Sequence, residues 1–247
     1  MSAYRIYPIK LGMQEPRDMQ NTGVKIPSAI MGFVIEGNGR HIMVDVGCGP
    51  ADWSIEKHGF RLTEWYPLPE ALQSAGFSVE QIDSVILTHL HHDHCWNLAD
   101  LPNIPVYVQK DEIMFAIDPL PSQWYYYEVA QVGMTPRWYN EMYRFKFING
   151  DCDLCEGIRL IKFKGHTAGS QGVLVDTEDG PYLITGDTVN FYFTWEGNAV
   201  WKHMPNTIHI NLEDVYRDYD RIESLNCTAI LPGHDAKVLE HKVYPIK

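Results

Sequence analysis

Basic side chains are scarce in this chain. Lys and Arg number 20 against 32 Asp and Glu, for a net charge of −12. That balance excludes a nucleic-acid groove spread over the surface, because such grooves depend on many phosphate contacts from cations. It leaves room for a local basic patch in a single cleft. No apolar run approaches the ~20 residues that a membrane span needs, and residues 1–10 lack the apolar stretch of a secretory leader. Internal repeats and low-complexity segments are absent, and so is the Gly-x-Ser-x-Gly turn that presents a nucleophilic serine. The five cysteines are odd in number, so with no leader they read as reduced thiols of a cytoplasmic protein. Cys152 and Cys155 form a Cys-x-x-Cys without a second pair, which reads as a turn carrying two thiols.

What the chain does have is a concentration of histidine and aspartate at strand ends. Thr88-His89-Leu90-His91-His92-Asp93-His94 follows the apolar stretch Ser84-Val85-Ile86-Leu87. Imidazoles and a carboxylate this crowded must each be hydrated or paired, unless a cation holds them together. Three more strand ends repeat the arrangement: Gly165-His166 after 158–163, Gly186-Asp187 after 181–184, and Gly233-His234 after 228–231. Glycine permits the sharp turn there and clears space for the side chain beside it. The candidate ligands are therefore His89, His91, Asp93, His94, His166, Asp187 and His234. Seven is too many for one tetrahedral cation and suits two. Cys95 adjoins the set but is surplus to it.

With 247 residues, 45% hydrophobic and 21% charged, the composition is that of an ordinary globular protein. No linker divides it, so residues 1–247 are expected to form a single domain. Residues 31–36 and 41–46 flank Gly37-Asn38-Gly39-Arg40 as a hairpin ending in Asp45. Residues 68–76 read as a helix stopped by glycine, and Ser78-Val79-Glu80-Gln81 as a capping box. A second hairpin pairs 172–175 with 182–185. Asn211 is placed to cap a helix running to Leu225, with Leu212, Val215, Tyr219, Ile222 and Leu225 on one face. Thr167 and Ser170 are expected to cap a helix after His166, with orientation of a neighbouring ligand as a second role open to Thr167. Residues 119–147 hold nine Trp, Tyr and Phe side chains between two ligand-bearing strands. They read as a helical insertion that lines a pocket or packs on a second subunit. The surplus of Trp and Tyr points toward a homodimer interface.

The order His89-x-His91-x-Asp93-His94, then His166, Asp187 and His234, resembles the metallo-β-lactamase superfamily of hydrolases. The resemblance runs over residues 31–235. It implies an α/β fold, a four-layer αβ/βα sandwich with metals at one edge of two facing sheets, and it gives Asp45 a supporting role behind the ligands. His94-Cys95-Trp96-Asn97-Leu98 and the carboxylate at Asp187 look most similar to the N-acyl homoserine lactonase branch. That branch carries a tyrosine three residues after the bridging aspartate; here the position is Asn190, with Tyr192 two residues on.

On this basis His89, His91 and His166 are expected to hold one metal and Asp93, His94 and His234 the other, with Asp187 between them. The metals are expected to be zinc, with iron, manganese or cobalt as other occupants of such ligands. The expected reaction is hydrolysis of a lactone or related cyclic ester or amide by a metal-bound hydroxide. Asp93 and Asp187 would handle protons, and Asn190 and Tyr192 would contact the substrate, a small molecule. Trp195 and Trp201 are further candidates for that contact. Other reactions open to the same framework are thioester hydrolysis, phosphodiester hydrolysis, and oxygenation of a persulfide at one iron. His92 is expected to face away from the ligands, and His41, His58, His203, His209 and His241 to be structural or solvated.

Overall fold

The computed structural model describes residues 4–18 and 25–246. Its first sheet has seven strands: β1 (Arg5–Arg17), β2 (Ile26–Gly37), β3 (Arg40–Val44), β4 (Leu62–Trp65), β5 (Ser84–Ile86), β6 (Val106–Gln109) and β7 (Phe145–Ile148). They lie in the order β4-β1-β2-β3-β5-β6-β7. Pairing is antiparallel from β4 to β3 and parallel from β3 to β7. The second sheet has β8 (Cys152–Cys155), β9 (Ile158–Lys162), β10 (Gln171–Thr177), β11 (Gly180–Gly186) and β12 (Ala229–Pro232), in the order β12-β11-β10-β9-β8. Only its β11–β12 pair is parallel.

Alternation along the strands builds the layers, since successive side chains point to opposite faces. In β2, Ala29, Met31, Phe33 and Ile35 join Ile158, Leu160, Val173 and Ile184 of the other sheet in the central core. Ile30 and Val34 face the opposite way, against Leu68 and Leu72 of α2 (Leu68–Ser74). On the far side Ile161, Phe163 and Leu183 pack on Val215, Tyr219 and Ile222 of α7 (Leu212–Ser224). Helix, sheet, sheet and helix make the four layers expected from the resemblance.

Both expected hairpins are present and longer than their sequence signals. β2 begins at Ile26, and β10 and β11 pair from Val173↔Ile184 to Thr177↔Gly180. Asn211 caps α7, its side chain accepting from the backbone N–H groups of Glu213 and Asp214. Ser78 and Gln81 form the capping box, here on a single 3₁₀ turn. Leu212 departs from the expected face and is exposed, because it opens the helix ahead of the first turn that meets the sheet.

The segment 119–147 is shorter as an insertion than expected. It consists of short turns of helix, among them α5 (Trp124–Tyr127), and ends at Arg144; Phe145 and Phe147 belong to β7, which pairs in parallel with β6. No helix follows His166. Residues 166–169 turn directly into β10, so Thr167 and Ser170 cap nothing. Among the described residues no helix is long and apolar enough to cross a membrane.

Candidate metal centre

The seven candidate ligands meet at one edge of the sandwich, where strands of both sheets end. His89 lies just beyond β5, Asp187 beyond β11 and His234 beyond β12, while His166 sits on the loop between β9 and β10. The chain folds this tightly because its glycines allow it. Gly186 takes φ 51°, and a Cβ there would come within 2.6 Å of the Thr88 Cβ; a Cβ on Gly233 would come within 2.6 Å of Asp187 Oδ1. Asp93, His94 and the buried Cys95 occupy the short helix α3 (His92–Cys95), whose turn brings Asp93 and His94 to the same side as His89.

His89, His91 and His166 form the first cluster. Nε2 of His166 is 3.2 Å from Nε2 of His89 and 3.2 Å from Nδ1 of His91. Each ring's other nitrogen faces an oxygen acceptor. His166 Nδ1 donates to the Ile208 carbonyl at 2.9 Å, and His91 Nε2 to Gln123 Oε1 at 2.9 Å. His89 Nδ1 donates to Thr88 Oγ1 at 3.0 Å, whose own proton goes to Asp45 Oδ2 at 2.7 Å. These partners fix the tautomers, so three unprotonated nitrogens converge with no proton among them. Burial and neighbouring imidazoles hold His89 and His91 well below the ordinary histidine range, and burial lowers His166. Converging lone pairs on neutral rings are a cation site, and their spacing is near the ~3.3 Å that nitrogens keep around a tetrahedral zinc.

Asp93, His94 and His234 form the second cluster, with Asp187 between the two. Asp187 Oδ1 is 3.3 Å from His94 Nε2 and 3.1 Å from His234 Nε2, and its Oδ2 lies 3.6 Å from His166 Nε2. Asp93 Oδ2 is 3.6 Å from His234 Nε2. His94 Nδ1 donates to Asp45 Oδ2 at 2.8 Å, and His234 Nδ1 to the Ala29 carbonyl at 2.7 Å. His94 Nε2 and Asp187 Oδ1 are buried without any hydrogen-bond partner. Orphaned atoms of this kind are costly unless a ligand satisfies them. The donor set thus fits two divalent cations with nitrogen and carboxylate ligands.

Charge divides the two halves. Burial opposes ionisation of His94, yet Asp187, Asp45 and Asp93 pull it well above its ordinary range; burial opposes His234 likewise, and Asp187 and Asp93 raise it. Burial would raise Asp187, but the His234 and His94 rings hold it well below the usual carboxylate range. Asp45 anchors this half and the first together, because Thr88 donates to it through both N–H and O–H while His94 donates to the same carboxylate.

Asn190 stands beside the centre and lines the cavity over it. Its Nδ2 donates to Asp187 Oδ2 at 3.1 Å, and its backbone carbonyl accepts from His234 N–H at 3.0 Å. Tyr192 lies elsewhere. It begins the short helix α6 (Tyr192–Glu196), which turns its ring toward β12, where the hydroxyl donates to the Ile230 carbonyl at 3.1 Å. Trp195 stacks on His203 at 4.2 Å and Trp201 is 56% exposed. Cys95 is buried against the carbonyls of Leu90 and His91, and burial pushes its thiol well up. Cys152 and Cys155 pack at the edge of the central core as free thiols.

His92 avoids the ligand clusters, although for a helical rather than an extended reason. Its ring stacks on His58 at 3.6 Å and 12°. His58 Nε2 is 2.9 Å from Glu128 Oε1, which also accepts from the Trp53 indole at 3.0 Å. This third buried group does not suit a cation. Nearly parallel rings aim their lone pairs side by side rather than at one point.

Glu112 and Gln123 support the centre alongside Asp45. Glu112, on α4 (Lys110–Ile117), is fully buried and accepts from Leu90 N–H, Tyr127 O–H, Thr167 O–H and Gly169 N–H. Its only signal was an acidic residue in a first helical turn, which ordinarily reads as a dipole contact. Gln123 carried no signal, since it meets His91 from an insertion 32 residues away.

A cavity of about 340 Å³ opens over the centre. His91, Asp93, Asp187, Asn190 and His234 form its floor; Gln14, Arg17, Phe60, Tyr126, Phe191 and Ile208 stand among its walls.

Together this fold and donor set define a metallohydrolase-type framework, and the Metallo-beta-lactamase superfamily pattern matches residues 27–234. The chain belongs to that superfamily. An N-acyl homoserine lactonase from a Bacillus species is 30% identical over 137 residues, covering 51% of this chain and 46% of the relative. The chain thus spans about half the length of the curated relatives it matches most strongly. Among solved structures, an N-acyl homoserine lactone hydrolase with N-hexanoyl-L-homoserine bound at its catalytic metal center superposes with a TM-score of 0.76 at 19% identity, covering 100% of this chain and 99% of that one. The dizinc quorum-quenching lactonase AidC gives a TM-score of 0.68 at 17% identity, covering 94% and 87%. At these identities the two likenesses speak to the fold.

Proposed function

We propose that the protein is a dinuclear metal-dependent hydrolase that opens a lactone or a related cyclic ester or amide. The observation that carries this reading is the pair of donor clusters sharing Asp187, with every outward imidazole nitrogen held by an oxygen. Two divalent cations held there, zinc being the expected one, would acidify water and polarise a carbonyl. The protein's own residues do the rest. His89, His91 and His166 stay neutral and fixed in tautomer. Asn190 keeps the Asp187 carboxylate turned toward both clusters. Asp93, whose side chain is 14% exposed on the cavity floor, is the carboxylate able to pass a proton to a leaving alkoxide. Phe60, Tyr126, Phe191 and Ile208 exclude water from the opening ring. The kinship with N-acyl homoserine lactonases supports a lactone as the substrate.

The test is metal content by mass spectrometry beside a pH-indicator assay on a panel of lactones. Two metals per chain and acid release from at least one lactone are expected. Asp93→Ala and His234→Ala should each lose one metal and cut turnover by at least about 100-fold. One iron per chain with a silent panel would overturn the proposal in favour of oxygen chemistry.

A further inference from the structure

Arg17 is out of keeping with its surroundings. Among the described residues lining the cavity over the candidate metal centre it is the one Lys or Arg side chain. It ends β1, half-buried, and its guanidinium lies 5.1 Å from the centre of the Phe60 ring, which lines the same cavity. A guanidinium over an aromatic face is held in place without being neutralised. None of the ion pairs among the described residues includes Arg17.

The placement is unfavourable unless something negative joins it. The floor of this small cavity is a site for two divalent cations, and its carboxylates, Asp93 and Asp187, offset only part of that charge. A guanidinium in the same space faces like charge. An anion between Arg17 and the floor turns that repulsion into attraction on both sides. The planar fork of arginine suits carboxylate and phosphate, which it can receive through two parallel N–H donors. Gln14, three residues earlier on β1, also lines the cavity and adds a neutral polar group there.

We propose that Arg17 sets the specificity of the site: it receives a carboxylate or phosphate carried by the substrate, so the lactones opened here are anionic ones. This rests on the hydrolase reading above and narrows its substrate class.

The experiment compares homoserine lactones whose amide nitrogen carries a dicarboxylic half-acid, from succinyl to adipoyl, with the methyl esters of the same compounds. In the wild type, kcat/KM for at least one free acid should exceed that of its ester by at least about tenfold, and the advantage should shrink as salt rises. Arg17→Gln should bring the ratio to about one, and Arg17→Lys should retain part of it because the charge survives without the fork. A wild-type ratio at or below one, or one that Arg17→Gln leaves in place, overturns the assignment. A second readout is independent of turnover. The free acids should raise the melting temperature of metal-depleted wild type but not of metal-depleted Arg17→Gln, while the esters raise neither. If neither series is hydrolysed, the wider lactone panel decides the hydrolase reading and this readout alone decides Arg17. Equal protection of wild type and Arg17→Gln then removes Arg17 from the site.

Discussion

Asn190 and Tyr192 are two residues apart, yet the fold separates them completely. Asn190 ends a strand-to-helix turn and reaches Asp187, whereas Tyr192 is the first residue of α6 and reaches β12. Neither outcome could be read from spacing, because the direction of a side chain depends on where the turn closes. A similar turn gives Asp218 its importance. From α7 it accepts the backbone N–H groups of Lys164 and Gly165, at 2.9 and 2.7 Å, and so fixes the loop that presents His166. Burial raises its pKa to about 6, against the lowering effect of those two donors. The unfolded chain releases this proton near pH 4, so between there and about 6 the folded state binds more protons than the unfolded one. Stability from this group is therefore greatest in acid and falls as pH rises through that window. Asp218→Asn keeps an acceptor without the charge. Its stability relative to wild type should improve by up to about 3 kcal/mol from pH 4 to pH 7. Urea unfolding at the two pH values measures this, and a parallel shift of both proteins would refute it.

At the scale of elements, the knot at Glu112 decides whether the ligand loops hold their places. One carboxylate on α4 ties the His89–His91 loop through Leu90, the His166 loop through Thr167 and Gly169, and the insertion through Tyr127. Glu112→Ala leaves four donors facing an apolar space and should cost about 3–5 kcal/mol, read as a lower urea midpoint at unchanged slope. A change under about 1 kcal/mol would mean that water replaces the carboxylate freely. Local signals made several elements legible: the two hairpins from their turn residues, α7 from Asn211 and its apolar spacing. The seven candidate ligands were legible because each stands beside a strand end or a glycine turn. What stayed hidden was non-local. β7 owes its identity to pairing with β6 nearly forty residues earlier, and Thr167 finds its partner on α4, so neither has a local signal. Glu112 and Gln123 act through partners that no nearby residue announces.

Across the whole molecule, the centre bridges the two sheets. His89, His91, Asp93 and His94 follow the first sheet's β5, while His166, Asp187 and His234 come from the second sheet. Cations bound there cross-link the layers, so chelation should lower the melting temperature as a bound ligand is withdrawn from the native state. The loss should also be ordered by pH. His94 and His234 are drawn above the ordinary histidine range by carboxylates, whereas His89, His91 and His166 are held below it. A raised histidine keeps its proton to higher pH and competes with the metal as acid is added. Metal content should therefore fall from two to one per chain on mild acidification, the Asp93–His94–His234 half emptying first. Simultaneous loss of both would contradict that order.

The insertion carries a consequence for how this protein can change. Gln123 holds the tautomer of His91, Tyr127 donates to Glu112, and Glu128 braces His58 against His92. The wall it builds is thus also part of the mounting of the candidate metal centre, and a mutation that reshapes it would shift those side chains as well. The facing wall, at Gln14 and Arg17 toward the end of β1, bears none of the seven candidate ligands. Lineages that switch substrate, and libraries built to make them switch, should gather their tolerated changes on that free wall and spare the one that doubles as scaffold.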